Sequence, residues 1–221
     1  ENDEIEDSVI ELKAKGEIVI EEREDNNWIY LDSYYKAEEN IANKLITLDK
    51  ARNMKHINDF EDELEKIEQK TDLILSDKQK EAIEAVNDNN VCIITGGPGT
   101  GKTTIIKVIL ELYKSKKRKT VLCAPTGRAA KRMTETTGEE AKTLHRLLEI
   151  GKIEEERTSK YNDFDVAPLD ADVIIVDEMS MVDLFLMNYL VKAIYQGSKL
   201  VLVGDVDQLP SVGPGNVLAD L

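Results

Sequence analysis

The chain has 221 residues, of which 41% are hydrophobic and 33% are charged. This balance is typical of a globular protein with one sizeable core and room for a smaller module. No apolar run reaches the roughly 20 residues that span a bilayer, and the acidic first residues predict no secretory signal. Cys92 and Cys123 lie in apolar runs without metal-ligand spacing, which favours buried thiols in a reducing compartment. We therefore expect a cytoplasmic protein without a membrane partner.

The net charge of −15 argues against a simple nucleic-acid-binding surface, but the charge is unevenly placed. Residues 1–75 hold 22 acidic and 10 basic side chains, whereas residues 76–221 hold 22 and 19. The acidic excess therefore belongs to the front of the chain. A local basic groove in the remainder stays compatible with these numbers, since local potential matters more than the total.

Residues 1–70 predict a small N-terminal module built from helices and a short hairpin. The expected elements are a helix at 3–15 that ends at Gly16, strands at 18–20 and 28–31 around a turn at 24–27, a helix at 33–48, and a solvated connecting helix at 57–67. A helix followed by a two-stranded wing is typical of a winged-helix-like domain. Its acidic surface favours packing or spacing over DNA binding.

From residue 71 to residue 221 the pattern changes to strands that alternate with helices. Short apolar runs predict four strands, at Val91–Thr95, Thr120–Ala124, 173–177 and 200–203. Helical segments lie between the first two strands, after the second, and between the last two. Near-continuous apolar strands separated by helices predict a parallel sheet covered on both faces, so the expected fold class is α/β.

A glycine-rich segment follows the first of these strands and opens a helix expected from about Lys102 to Ser115. Its residues are Gly96, Gly97, Pro98, Gly99, Thr100, Gly101, Lys102, Thr103 and Thr104. Gly-x4-Gly-Lys-Thr is the P-loop pattern, in which backbone N–H groups and the helix N-terminus surround phosphates. Lys102 is expected to bridge the β- and γ-phosphates, and the Thr103 hydroxyl to take a place on Mg²⁺.

Asp177 and Glu178 follow the third strand, where open α/β sheets bind their ligands. Asp177 is expected to hold Mg²⁺, and Glu178 to orient or deprotonate the attacking water. The alternative is that the pair merely caps the following turn. Together with the P-loop, the pair predicts nucleotide hydrolysis; a GTPase would need an Asn-Lys-x-Asp segment, which is absent, and a small-molecule kinase leaves the later motifs unexplained.

The fourth strand ends in a polar loop that carries Gln208, whose amide is expected near the γ-phosphate. At this point the sequence resembles superfamily 1 helicases, and specifically the RecD-like group that includes the exodeoxyribonuclease V α subunit. The segments that carry the resemblance are 96–104, 124–130, 143–148, 177–183 and 204–215. The resemblance is strong over residues 75–221 and weaker before them. It implies a P-loop NTPase (RecA-like) motor domain that uses ATP and Mg²⁺.

The resemblance also assigns residues to adenine and to DNA. Gln79 matches the glutamine that contacts adenine in these motors, although Ser76-x-x-Gln79 is equally a helix capping box. The segments expected to contact single-stranded DNA contain Pro125, Thr126, Gly127, Arg128, Thr143 and His145. Arg128 and Arg132 share a helical face and could add positive charge to that track, whereas Lys131 points elsewhere. For His145, a structural role on a Leu-rich helix remains an equal alternative.

A complete helicase of this group has a second RecA-like domain that supplies an arginine finger, so we expect this chain alone to hydrolyse ATP slowly. Relatives move 5′ to 3′, and some act inside nuclease complexes, whose subunits are possible partners. The polar segment 151–168 predicts irregular, mobile structure. A different class of function remains open, namely an ATP-binding regulatory module that acts on a protein partner.

Overall fold

The protein was analysed as a computed structural model that describes residues 2–23, 26–52, 55–150 and 166–221. The helices are α1 Asn2–Ala14, α2 Asp32–Asp49, α3 Phe60–Thr71, α4 Asp77–Asp88, α5 Lys102–Ser115, α6 Gly127–Thr137, α7 Leu144–Leu147, α8 Leu184–Ala193 and α9 Val217–Asp220, with a 3-10 turn at Met179–Met181. The strands are β1 Ile18–Glu22, β2 Asn27–Leu31, β3 Val91–Thr95, β4 Thr120–Ala124, β5 Ala141–Thr143, β6 Val173–Val176 and β7 Lys199–Gly204.

Five strands form one parallel sheet in the order β3-β7-β6-β4-β5. All residues of β6 and β7 are buried, as expected for strands covered on both faces. Successive residues of a strand point to opposite faces, so Ile174 packs in one core with α8, and Ile175 packs in a second core with α5. The expected α/β class and the parallel sheet are confirmed.

The strand order brings three chain segments together at the carboxyl-terminal ends of the strands. β3 pairs with β7 so that Thr95 lies opposite Gly204, and β7 pairs with β6 so that Leu202 lies opposite Val176. The loops that follow these three strands therefore emerge side by side. The sequence places the P-loop, the Gln208 loop and the Asp177-Glu178 pair in those loops.

The front of the chain contains the expected helix and antiparallel hairpin, followed by α2. α2 packs against α8, with the Tyr34 and Phe185 rings edge to face at 5.1 Å between centroids. The solvated connecting helix expected at 57–67 is observed as α3 at Phe60–Thr71, but one of its faces is buried. α3 buries Leu64 and Ile67 in the core around α5, because these two residues share one helical face.

The basic loop after α5 carries lysines that form ion pairs with acidic groups from elsewhere in the chain. Lys116 lies 2.7 Å from Asp59, just before α3, and Lys119 lies 2.6 Å from Asp170. These exposed pairs contribute little stability individually. They do explain why a basic run can occupy this side of an acidic protein.

Two sequence expectations fall on residues outside the described ranges. The first two residues of the turn at 24–27 are not described, and residues 151–165 of the segment 151–168 are not described either. The division into domains at residues 70 and 71 also stays a prediction. Among the described helices, none combines the length and hydropathy that crossing a bilayer would require.

Candidate functional site

The P-loop turns between the end of β3 and the start of α5. Gly99 and Gly101 have φ angles of +76° and +88°, which favour glycine because a Cβ is strained there. A side chain on Gly101 would also collide with Gln79, since its Cβ would lie 2.1 Å from the Gln79 Nε2 atom. The backbone turn therefore requires Gly101, whereas the Gln79 side chain could shift its flexible end to avoid a Cβ.

The Lys102 side chain folds back over the loop from the first position of α5. Its Nζ atom donates to the Gly97 carbonyl at 3.0 Å and also to the Gly96 carbonyl. The Lys102 ammonium is therefore held by backbone carbonyls of the P-loop itself. No carboxylate of the described residues pairs with it within ion-pair distance.

Asp177 and Glu178 stand at the end of the buried strand β6. The Asp177 backbone N–H donates to the Cys123 carbonyl at 3.0 Å, and its Oδ1 accepts from the Glu178 N–H at 2.9 Å. Burial raises the pKa of both carboxyls, and the neighbouring Asp177 charge raises the pKa of Glu178 further. A bound cation would stabilise the charged forms of these two neighbouring carboxyls, which burial disfavours.

The backbone at Glu178 has a φ of +57°, in the left-handed region that non-glycine residues rarely occupy. Such a conformation costs on the order of 1 kcal/mol and is concentrated at functional sites. Here it turns the chain sharply between β6 and the following 3-10 turn. The sequence left open that Asp177 and Glu178 merely cap the turn that follows them. The Glu178 side chain makes no capping hydrogen bond in that turn.

Gln208 is held in place by an aspartate that the sequence did not single out. The Gln208 side-chain Nε2 donates to the Asp205 carboxylate at 3.3 Å, and its backbone N–H donates to the Asp205 carbonyl at 3.2 Å. Asp205 is buried and immediately follows β7. A lone acidic residue directly after an apolar strand was the available signal.

These groups share a single cavity of about 280 Å³ at the carboxyl ends of the strands. Its lining consists of Gly97, Pro98, Gly99, Thr100, Gly101, Lys102, Thr103, Arg132, Asp177, Glu178 and Gln208. The structure therefore brings together all four expected catalytic residues. Thr104 and Gln79 were also expected to contact the nucleotide, but they do not line this cavity.

Arg132 is in the cavity although the sequence suggested the DNA track for it. It lies on α6, and its positive charge lowers the pKa of Asp177 and Glu178, in opposition to the larger effect of burial. The rotation of α6 about its own axis, which a sequence does not specify, decides which basic side chain faces the cavity. Lys131 on the same helix lies 3.8 Å from Glu135 instead.

Gln79 lies beside the P-loop and occupies the expected capping box. Its Oε1 accepts from the Ser76 N–H at 3.0 Å, while its own N–H donates to the Ser76 hydroxyl at 3.4 Å. Its Nε2 also donates to the Thr100 carbonyl at 3.4 Å, which ties α4 to the loop. The capping alternative is confirmed, and the contact with adenine stays a prediction.

The residues present fit the implied magnesium ion. Thr103 and Asp177 line the same cavity, and Mg²⁺ usually takes one or two carboxylates together with waters and substrate phosphates. Within residues 2–23, 26–52, 55–150 and 166–221, no cluster of three or more His, Cys, Asp or Glu side chains could hold a metal alone.

The two segments expected to contact DNA also lie next to each other at the carboxyl-terminal ends of the strands. β4 and β5 are parallel neighbours, with Ala124 opposite Thr143. The Thr126 hydroxyl accepts from the Ala129 N–H at 3.2 Å and caps α6, and the Thr143 hydroxyl accepts from the Arg146 N–H at 3.2 Å and caps α7.

Both threonine hydroxyls keep a donor, because a hydroxyl that accepts a hydrogen bond can still donate its own proton. No hydrogen bond within the described part of the chain uses these two protons. Gly127, Arg128 and His145 are exposed beside them, and Pro125 is half-buried. The arrangement presents donors and positive charge on one surface.

A glycine-rich loop between a parallel strand and a helix, beside an acidic pair that follows a neighbouring part of the same sheet, defines a P-loop NTPase. A family model described as an AAA domain matches residues 79–214, and the chain belongs to that family. The chain is also 42% identical, over 64% of its length, to the ATP-dependent RecD2 DNA helicase of Deinococcus radiodurans. It is 36% identical, over 89% of its length, to the RecBCD enzyme subunit RecD of Mycobacterium tuberculosis.

These relatives confirm the expected resemblance to the RecD group. The chain spans only 19% and 36% of their respective lengths. Among solved structures, unliganded Pif1 from Bacteroides is 26% identical, with a TM-score of 0.44 over 67% of this chain and 36% of that chain.

Proposed function

We propose that this chain is the ATP-binding motor domain of an ATP-dependent DNA helicase, which couples ATP hydrolysis to movement along single-stranded DNA. The observation that carries the proposal is the convergence of Lys102, Glu178 and Gln208 on one cavity. The 42% identity with a protein named as an ATP-dependent DNA helicase supports the same activity.

In this proposal the P-loop N–H groups and the dipole of α5 hold the phosphates of ATP. Lys102 exchanges its contacts with the Gly96 and Gly97 carbonyls for phosphate oxygens, which are stronger, charged acceptors. Thr103 and Asp177 hold Mg²⁺, which neutralises negative charge on the phosphates. Gln79 would contact adenine through its side-chain amide, one N–H of which donates to the Thr100 carbonyl.

Glu178 is the proposed base or orienting group for the attacking water. Its raised pKa brings the carboxylate closer to the value that suits proton transfer near neutral pH. Gln208, steadied by Asp205, would contact the γ-phosphate and respond to its loss. Hydrolysis would therefore change contacts in the loop after β7 as well as in the P-loop.

For DNA, the free protons of the Thr126 and Thr143 hydroxyls would donate to backbone phosphates, with Arg128 and His145 beside them. Gly127 and Pro125 would let the strand approach the start of α6 closely. Backbone contacts of this kind carry no sequence information, which suits a motor that must move along any sequence.

The wider context follows the relatives. A second RecA-like domain would complete the ATP cleft with an arginine, and movement would run 5′ to 3′. Nuclease-complex subunits are proposed partners because one relative is named as a subunit of the RecBCD enzyme. A cytoplasmic location is proposed for the same reason.

The ATP site is tested by Lys102→Ala in the intact protein. We expect DNA-stimulated ATP hydrolysis to fall by at least about 100-fold, since an electrostatic contact to the reacting phosphates is removed. The matched control is Lys107→Ala, which removes an exposed lysine from the same helix and should keep the wild-type rate. Hydrolysis by Lys102→Ala at the wild-type rate would mean that the site is wrongly assigned.

The acidic front of the chain favours a second candidate function, an ATP-dependent regulatory module that binds a protein partner. Titration of labelled single-stranded DNA at low salt, with and without a non-hydrolysable ATP analogue, separates the two. The motor predicts binding that weakens in Thr126→Asp, which keeps a good helix cap but replaces the donor with a negative charge. Absence of DNA binding in both nucleotide states would favour the regulatory module.

A further inference from the structure

Arg132 was expected on the DNA track, but its side chain lines the nucleotide cavity, where the proposed function does not use it. It lies on α6, one turn after Arg128, and lines the cavity together with the P-loop, Asp177 and Glu178. Arg128 and Lys131 do not line it. One basic residue of this helix is therefore singled out by position.

The Arg132 guanidinium has no bound partner among the described residues. No hydrogen bond or ion pair within residues 55–150 and 166–221 uses it, although two carboxyls line the same cavity. Lys102, the other cation of the cavity, has backbone carbonyls as partners. An arginine with five donors that faces a cavity without using them is poised for an external acceptor.

The charges of the cavity indicate what that acceptor is. Asp177 is a buried acid that a divalent cation would satisfy, and Glu178 has the proposed role toward water, which leaves Lys102 and Arg132 as the lining cations for a polyanion. A guanidinium matches phosphate oxygens in geometry and can bind two of them at once. Lys102 emerges from the P-loop itself, whereas Arg132 enters the cavity from a different helix, and its charge acts on both Asp177 and Glu178.

We propose that Arg132 contacts the γ-phosphate of bound ATP and acts as an arginine supplied in cis from α6. The inference rests on the proposed function in that ATP must occupy this cavity. It assigns to this chain a γ-phosphate contact that is separate from any arginine of a second domain.

The position of Arg132 also gives a physical route between the two ligands. α6 begins at the segment proposed to contact DNA, with Thr126 as its cap, and presents Arg132 about 9 Å further along its axis at about 1.5 Å per residue. A rigid helix that touches DNA at one end and the γ-phosphate at the second turn would transmit the loss of that phosphate to the DNA contact.

The test is calorimetric titration of the intact protein with Mg²⁺ and either ADP or the β,γ-imido analogue of ATP. We expect Arg132→Ala to weaken binding of the analogue by about 10-fold or more, or about 1.4 kcal/mol, and binding of ADP by less than about 2-fold. Arg132→Lys should recover part of the loss, because it keeps the charge without the planar fork. Lys131→Ala is the control on the same helix and should match the wild type for both nucleotides.

Equal effects of Arg132→Ala on ADP and on the analogue, or no effect on either, would overturn the γ-phosphate contact while leaving the ATP site intact. Failure of the wild-type protein to bind either nucleotide would instead overturn the ATP site itself, and this contact with it. Arg132 is exposed, so its variants should fold normally, which a thermal melt checks.

Discussion

The two ends of the parallel sheet both gather polar and charged side chains, but they use them differently. At the carboxyl end, defined by the last residues of β3, β6 and β7, the charges face a cavity. At the amino end, defined by the first residues of the same strands, the charges are paired with other groups of the protein. Burial and charge alone therefore do not identify a functional site in this molecule.

Lys199 is the clearest example at the amino end. It is fully buried at the start of β7, and its Nζ donates to the Asn87 and Asn89 carbonyls at 2.9 and 2.7 Å. These carbonyls lie at the end of α4, where helices leave acceptors without partners. Lys199 thus completes α4 and ties it to the sheet.

The neighbouring polar groups at this end are also paired within the protein. The Asn87 side chain accepts from the Ile57 N–H at 2.8 Å and donates to the Ile57 carbonyl at 3.1 Å. Asp172 accepts from the Lys119 N–H at 2.8 Å and forms an ion pair with Lys55. The Asn90 Oδ1 atom is an exception, since it is buried without a partner. The amino end is consequently expected to govern stability, and the carboxyl end catalysis.

The largest expected effect is on hydrolysis, at the carboxyl end. Glu178→Gln should lower the rate of ATP hydrolysis by about 10²–10⁴-fold, because the proposed base is lost, while ATP should still bind. The free energy of unfolding should change by less than about 1 kcal/mol, since no hydrogen bond or ion pair among the described residues uses the carboxylate. A steady-state ATPase assay and urea denaturation measure the two quantities.

Glu135→Gln is the control for this prediction, because Glu135 is exposed on α6 outside the cavity. It should hydrolyse ATP at the wild-type rate. If Glu178→Gln instead lost stability and kept its rate, the carboxyl end would be structural and the contrast between the two ends would fail.

The next largest effect is on stability, at the amino end. Asn87→Ala should lower the free energy of unfolding by about 3 kcal/mol, because it leaves both backbone groups of Ile57 buried and unpaired. Nucleotide affinity of the folded protein should stay unchanged. Urea denaturation and nucleotide titration are the measurements.

Asn89→Ala provides the comparison, since the Asn89 side chain is exposed and donates only to the Ala85 carbonyl. Its cost should stay below about 1 kcal/mol. A cost for Asn87→Ala no larger than that of Asn89→Ala would contradict the assignment of the amino end to stability.

The sequence predicted the elements that hold the carboxyl end with little error. Val91–Thr95 and Thr120–Ala124 were predicted with the bounds observed, because apolar runs bounded by polar residues identify strands, although β3 lies at the edge of the sheet and is mostly not buried. β5 was missed, since three residues carry too little pattern. Leu64 and Ile67 did carry a signal, their spacing of three, but the many charges around them obscured it.

Within the site, the residues that could be predicted are those adjacent in sequence to a strand end. Lys102 and Asp177 are fixed by the local chain, so a motif locates them. Arg132 reaches the cavity through the packing of α6, and Asp205 reaches Gln208 through the course of the loop after β7. Both arrangements depend on contacts between residues that are distant in sequence. The Lys199 contacts with α4 join residues more than 100 positions apart, and no local pattern encodes them.

The smallest expected effect is a pH dependence at the amino end. Burial lowers the pKa of Lys199 from its ordinary 10.5 to about 8. Between these values the folded protein has released the proton and the unfolded chain still holds it, so the free energy of unfolding rises with pH. The stability of the wild type relative to Lys199→Met should therefore increase by about 1.5 kcal/mol between pH 8 and pH 9.5.

The comparison with Lys199→Met cancels other titrations, including that of Tyr113, whose pKa is raised by burial. Since Tyr113 stays neutral in the folded state, its own contribution would lower stability only above about pH 10, outside the chosen window. Lys107→Met, at an exposed position, should give a difference that does not change over the same range. A flat or falling difference for Lys199→Met would mean that the ammonium is not desolvated. Lys199 would then have to be hydrated or paired with an acidic side chain, and the contrast with the cations that face the cavity at the carboxyl end would be lost.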